Sequence, residues 1–220
     1  MEGILGKLGG KEVIVDPAAT EPRNVYKLMV AAIVPRPIAF VSTIGADGIL
    51  NLAPFSFFTA ASADPPVICF APMIRAVSAR DGGRKDTLRN IQATGEFVVN
   101  IVSEEFAGQM NICSTEFPPE IDEFQASGLT PVPSDLVRPP RVKESHVNME
   151  CRLLEIVDVS AKPLGGSLVL GQVLRFHVED GWFDNYQIDP DKLRPIGRMG
   201  GATYTRTTDR FELVRPAVQS

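Results

Sequence analysis

The chain has 220 residues, of which 44% are hydrophobic and 22% charged, proportions of an ordinary globular protein that exclude disordered and coiled-coil classes. Its formal net charge of -5 excludes a broad phosphate-backbone surface, which needs clustered Lys and Arg, so no nucleic-acid partner is expected. The N-terminal residues lack a continuous apolar run and no later stretch reaches membrane-span length, so the expectation is a cytoplasmic protein with no membrane partner, folded as one domain over 1–220 with 1–22 as an N-terminal extension.

In chain order, Glu21 to Ile33 places Val25, Leu28, Met29, Ala32 and Ile33 at spacings of three and four, which predicts an amphipathic helix stopped by Pro35 and covering one end of a barrel. Pro35 to Phe58 predicts a hairpin: an apolar run reaches Ser42-Thr43, Gly45 to Gly48 turn the chain, and a second run begins at Ile49. Asn51, Pro54 and Ser56 interrupt that second run, and a proline inside a run places it at a sheet edge or bulge. Unpaired amides beside Phe55, Phe57 and Phe58 would suit a flat, hydrogen-bonding ligand.

Asp64-Pro65-Pro66 breaks the chain before a buried strand over Val67 to Ala71. A polar loop rich in Gly and Arg runs from Arg75 to Lys85, and Asp86 or Thr87 is a good N-cap for the helix that follows. Lys85 with the first-turn amides makes a candidate anion site; alternatively Asp86 only caps and Lys85 is solvated. Glu96 to Val102 reads as an interior strand and Glu104 to Cys113 as helical. Phe117 to Pro140 carries six prolines and reads as a lid or partner-facing excursion anchored by Ile121, Phe124, Leu129 and Leu136. Two long strands, Val147 to Ser160 and Ser167 to Val178, pair across Lys162 to Gly166. Asp180-Gly181 then turns the chain toward Leu193 to Tyr204.

No nucleophile with an adjacent base is visible, and neither GxGxxG nor GxxxxGK[ST] occurs, so Rossmann and P-loop sites are not supported. Cys69, Cys113 and Cys151 read as buried thiols of a reducing compartment, and with only His146 and His177 no metal centre is expected. A ligand-shaped edge beside an anion site, with few reactive side chains, suggests that a bound cofactor does the chemistry while the protein orients it.

Six short pieces occur in order: Pro35 to Ala39 with Ser42-Thr43; Asn51 to Phe58; Ser62 to Pro66; Lys85 to Thr87 with Asn90-Ile91; Gly171-Gln172-Val173 leading to His177; and Pro195 to Arg198 with Gly200, Gly201 and Tyr204. Together, over roughly Asn24 to Arg215, they resemble the flavin reductase-like family with the FMN-binding split barrel, which includes flavoredoxins and reductase components of two-component monooxygenases. The resemblance implies a mainly β fold with peripheral helices, a six-stranded Greek-key split barrel that forms a homodimer with flavin near the interface. It implies FMN as cofactor, with FAD the alternative, and NADH or NADPH as donor.

Carried over by position, Arg36, Pro37, Ser42, Thr43, Asn51, Ala53, Pro54, Phe55 and Ser56 would line the isoalloxazine and ribityl. Lys85, Asp86 and Thr87 would take the phosphate, and Arg198 and Tyr204 would close the site. The family places a histidine like His177 close to the flavin or nicotinamide, as a catalytic candidate whose alternative is a structural role; His146 reads as structural. The implied activity is an NAD(P)H:FMN reductase that passes electrons to free flavin, a partner monooxygenase or another acceptor protein. The alternative is an FMN-binding electron carrier without a nicotinamide site.

Overall fold

A computed structural model describes residues 12–74 and 83–216 of the chain. β-branched and aromatic runs separated by glycine and proline turns pair here into one antiparallel sheet, because alternate side chains of each run find a different apolar layer. After helix α1 (Pro22–Ala32) come strands β1 (Ala39–Ile44), β2 (Leu50–Phe55), β3 (Phe58–Ala63) and β4 (Pro66–Phe70). Helix α2 (Asp86–Thr94), strand β5 (Glu96–Ile101), helices α3 (Ala107–Ile112) and α4 (Glu123–Ser127), and the short strands β6 (Pro131–Val132) and β7 (Arg141–Val142) follow. The long strands β8 (Val147–Asp158) and β9 (Ser167–Val178) precede β10 (Phe183–Asp184), β11 (Gln187–Ile188), α5 (Pro190–Leu193), β12 (Ile196–Arg198) and β13 (Tyr204–Arg206).

The main sheet runs β2-β1-β5-β8-β9-β4-β3, antiparallel throughout, and is the split barrel. It has one strand more than the six the resemblance implies. β3 is the addition: the chain bends at Ser56-Phe57 and returns along β4, with Phe58 opposite Phe70. β2 and β3 are the two edges, as the proline inside β2 requires.

Both faces of β1 are covered, which is why five of its six residues are buried in succession. Ala39 and Val41 point into a barrel core with Phe55, Phe70, Phe97, Val99, Cys151 and Val169, and α2 adds Leu88 and Ile91 to it. Phe40 points the other way, into a second layer with Leu52, Phe106, Met110, Phe124 and Val142 under α3 and α4. Phe70 stacks 5.1 Å from Phe55 and meets Phe97 edge-on at 5.6 Å, so three rings span the barrel interior.

α1 does not close the barrel; α2 does. Val30 is the one buried residue of α1, whereas Leu28, Met29 and the following Ile33 stay exposed. The proline-bearing segment 117–140 is not a loose lid. Asp135, Leu136 and Val137 donate their amides to the buried Glu150 carboxylate, Ser42 Oγ donates to Pro140 O at 2.5 Å, and Val142 N donates to Asn100 Oδ1 at 2.9 Å. These bonds strap the segment across the outer face of β5 and β8.

Gly171 lies under the aromatic stack: a Cβ there would stand 2.2 Å from Phe97 Cζ. Gly171→Ala is therefore expected to destabilise the fold by about 1–3 kcal/mol through overpacking, read as a lowered denaturant midpoint with an unchanged m-value.

Candidate functional site

The β1–β2 hairpin and the start of α2 converge on one cleft. Its first lobe, about 80 Å³, is lined by Asn51, Ala53, Pro54 and Phe55 from β2, by Lys85, Asp86 and Thr87 at the head of α2, and by Cys113, Ser114, Thr115, Phe117 and Glu123 opposite. A second lobe of about 290 Å³ shares Asn51, Asp86 and Glu123 and extends toward the β1–β2 turn past Asp47, Arg89 and Asn90. Seven of the expected cofactor residues thus meet here although 29 residues of sequence lie between Phe55 and Lys85, and Thr43 stands directly behind Asn51.

The polar heart of the cleft is a hydrogen-bond chain. Thr43 Oγ1 donates to Asn51 Oδ1 at 3.1 Å and accepts from Asn90 Nδ2 at 3.0 Å, while Thr87 Oγ1 donates to the same Asn51 oxygen at 2.7 Å. Asn51 Nδ2 in turn donates to Glu123 Oε1 at 2.9 Å, and the other Glu123 oxygen accepts from Leu52 N at 3.2 Å. Two hydroxyl donors on one side and a carboxylate on the other fix which way the Asn51 amide points.

α2 begins one residue earlier than the capping residues suggest: Lys85 occupies the N-cap position and Asp86 is the first helical residue. The N-cap residue Lys85 makes no side-chain cap bond, and the head of α2 lies at the cleft with Lys85 and the buried Thr87. Lys85 Nζ lies 3.5 Å from Glu116 Oε1, and Asp86 is paired with Arg89 one turn on. The polar loop over 75–82 lies outside the described residues. A cation, a hydroxyl and helix amides are the donor set of a phosphate, and an edge strand with half-buried Ala53 and Pro54 offers a flat apolar and backbone surface, so these residues fit a flavin nucleotide.

Arg36, Ser56, Arg198 and Tyr204 form a separate group at the far end of the hairpin. Arg36 is 5% exposed, and its guanidinium donates to Val30 O at 2.6 Å, Ile33 O at 2.8 Å, Met199 O at 2.9 Å and Ser56 Oγ at 3.4 Å. Burial pulls its pKa down, and three carbonyls from two segments, with the Ser56 hydroxyl, take up its donors. Arg36 thus clamps the C-terminus of α1 to the β12–β13 hairpin, while Pro37 beside it is exposed. Arg198 stacks 4.4 Å from the centre of the Tyr204 ring, and Tyr204 Oη donates to Asn111 Oδ1 at 3.4 Å, which sets the hairpin against α3. Ser42 is not at the cleft: it points to the outer layer and Pro140.

His177 is also elsewhere. It sits on β9 opposite Asn148, and β9 is separated from β2 by three strands. Its Nε2 lies 2.6 Å from Glu150 Oε1. Desolvation works to raise the Glu150 pKa, but the amides of Asp135 and Leu136 and the imidazole hold it below the ordinary carboxylate range. Asp135, Glu150 and His177 bring ligand-type atoms within 4.8 Å of one another; with Glu150 filled by amides and Asp135 bonded to Arg175 at 2.6 Å, they form an ion-pair network. His146 stacks on Trp182 with ring centres 3.9 Å apart.

Glu123, Ser114, Thr115 and Phe117 are cleft residues that sequence reading did not single out. Their one sequence signal is the Asp122 N-cap, which marks a helix start but not the strand it meets.

A mainly β split barrel with an edge strand facing a helix head defines the class of protein. Within it, residues 31–195 match the family described as flavin reductase like domain, and the chain belongs to that family. A protein of Aquifex aeolicus is 45% identical over 195 residues, covering 88% of this chain and 95% of its own. The structure of nitrilotriacetate monooxygenase component B from Bacillus cereus is 34% identical with a TM-score of 0.87, covering 93% of this chain and 100% of that one. That of 2-nitrobenzoate 2-nitroreductase from Pseudomonas fluorescens is 32% identical with a TM-score of 0.82, covering 93% and 96%.

Replacing Arg36 by Met keeps the stem and removes the donors. The expected result is a loss of about 1–3 kcal/mol, the cost of leaving buried carbonyls unpaired, with faster amide exchange confined to α1 and the β12–β13 hairpin.

Proposed function

We propose that this protein is an NAD(P)H-dependent flavin reductase that binds FMN in the cleft between β2 and the head of α2. The observation that carries the reading is the convergence of Asn51 to Phe55 with Lys85 to Thr87 on one cleft. Lys85, Thr87 and the first amides of α2 hold the phosphate. The β2 edge, where Pro54 removes one N–H and leaves its carbonyl, receives the flat ring. When bound, the flavin supplies the redox chemistry, accepting a hydride from NADH or NADPH and returning electrons to an acceptor. The protein contributes geometry: the Asn51 network holds one fixed orientation.

The functional unit is a homodimer in this reading. α1 presents Leu28, Met29 and Ile33, and the C-terminal segment presents Phe211, Leu213 and Val214 at 84–90% exposure, an apolar surface that a second copy would cover. His177 then acts, if it meets nicotinamide, in the cleft of the second subunit, since its own chain holds it away from Asn51. The acceptor is free flavin or a partner protein such as the monooxygenase of which the Bacillus cereus relative is a component. The three free cysteines suit a reducing cytoplasm.

Protein reconstituted with FMN is expected to bleach at about 450 nm on rapid mixing with NADH or NADPH. Absence of bleaching with both, in protein that retains FMN, would leave an electron carrier in place of a reductase. Lys85→Ala is expected to weaken FMN about tenfold, as loss of one charge-assisted hydrogen bond, and to leave riboflavin affinity unchanged. Equal weakening of both flavins would remove the phosphate from this end of the cleft.

A further inference from the structure

Glu123 carries a feature that holding a helix to a strand does not need. It is the first residue of α4, 7% exposed, and follows the Asp122 N-cap, whose side chain takes the amides of Phe124 and Gln125. Its carboxyl is therefore not needed to cap its own helix. It reaches instead to the sheet edge, where one oxygen meets Asn51 Nδ2 and the other the outward N–H of Leu52. It also lines both lobes of the cleft, so any occupant of either lobe lies beside it.

The described charged groups around it are unevenly balanced. From α2 come Asp86, paired with Arg89, and Lys85, paired with Glu116. Asp47 lines the second lobe from the β1–β2 turn, and Asp122 precedes Glu123 in the chain. From α3 the Cys113 thiol, pushed up to about 11 by burial, donates to the Glu123 backbone carbonyl. Among the described residues Glu123 contacts no cation; Asn51 and Leu52 reach its carboxylate with neutral N–H groups.

We infer that Glu123 is a positioning residue of the cleft: it locks the Asn51 amide and the β2 edge in the arrangement that receives flavin, and its negative charge opposes entry of the flavin phosphate. This rests on the cleft being the flavin site. The carboxyl is able to relieve the opposition by taking up a proton. Burial, with Asp86 adding, pushes it up to about 7 against the hydrogen bonds from its own backbone N–H, Leu52 and Asn51. A dianion entering the cleft stabilises the protonated form further, so by linkage the protein gains a proton as FMN binds near neutral pH. The sign is fixed: with the carboxyl neutral below about pH 7 its contribution favours FMN, and as it ionises above that pH the contribution turns against FMN.

The test is FMN affinity from pH 6 to 8 for wild type and Glu123→Gln, with far-UV circular dichroism and melting temperature recorded for each. Ionisation of the FMN phosphate is common to both proteins and cancels in the ratio of dissociation constants. The expected ratio of wild type to variant rises about fivefold across this range for one pKa unit of coupling, whose full value of about tenfold is reached only above both pKa values. Lost positioning alone would shift the ratio equally at every pH; a flat ratio in a folded variant overturns the inference. Should the variant not fold, calorimetry on the wild type at pH 7 in two buffers of different ionisation heat decides instead. Net proton uptake on FMN binding is expected, because a phosphate with a second pKa near ~6 is already mostly dianionic there, and no uptake overturns the inference. If wild type binds no FMN at all, it is the assignment of the cleft that fails.

Discussion

A buried polar group must find a partner, and the strands of this sheet carry an unusual number of them. Asn51, Ser42, Asn100, Asn148 and Glu150 lie on β2, β1, β5 and β8 at 7% exposure or less. Leaving any one unpaired would cost about 1–3 kcal/mol, and more for the carboxylate. Each is satisfied by a segment from outside the sheet or by another of the set: Asn100 takes the Val142 amide and donates to Phe40 O, and Glu150 gathers three amides from 135–137. The covering segment is therefore held by specific bonds as well as by its apolar anchors, and its path follows from which strand positions are polar. Asn51 belongs to the same scheme, except that two of its partners, Thr87 and Glu123, border a cleft.

Much of this was legible from local pattern. Turn chemistry located the β1–β2 hairpin, Pro54 placed β2 at an edge, and the paired runs 147–160 and 167–178 emerged as the long central ladder, observed over Val147–Asp158 and Ser167–Val178, because each signal depends on neighbours in sequence. β3 did not stand out. Thr59 to Ala63 are small and exposed on both faces, so the segment has no period-2 pattern and exists as a strand through its pairing with β4.

The side-chain roles divided along the same line. Asn51, Ala53 to Phe55 and Lys85 to Thr87 meet as expected. Arg36 and Ser42, taken from the same contiguous motif, turn away because their partners, Met199 and Pro140, stand 163 and 98 residues on. Adjacent residues on a strand point to opposite faces, so a continuous motif cannot line one site with all its side chains. Half of such a motif must serve the layer behind. His177 shows the complementary limit: the run around it predicts strand β9 correctly, while the sheet order that carries it three strands beyond the β2 neighbourhood is a property of the whole chain.

On the proposed reading, the cleft is an anion site that is not strongly basic. Lys85 and Arg89 stand among Asp47, Asp86, Glu116 and Glu123, and two of those acids are already paired with the two cations. A surface of free cations would attract any polyanion with little discrimination, because Coulomb attraction carries no shape. Here the favourable contribution comes from oriented groups, namely the head of α2 and the Asn51 chain. A ligand that brings charge but cannot match those directions meets the acids uncompensated. Selectivity then rests on geometry, and the same hydrogen bonds that keep β2 from being an unsatisfied edge supply it.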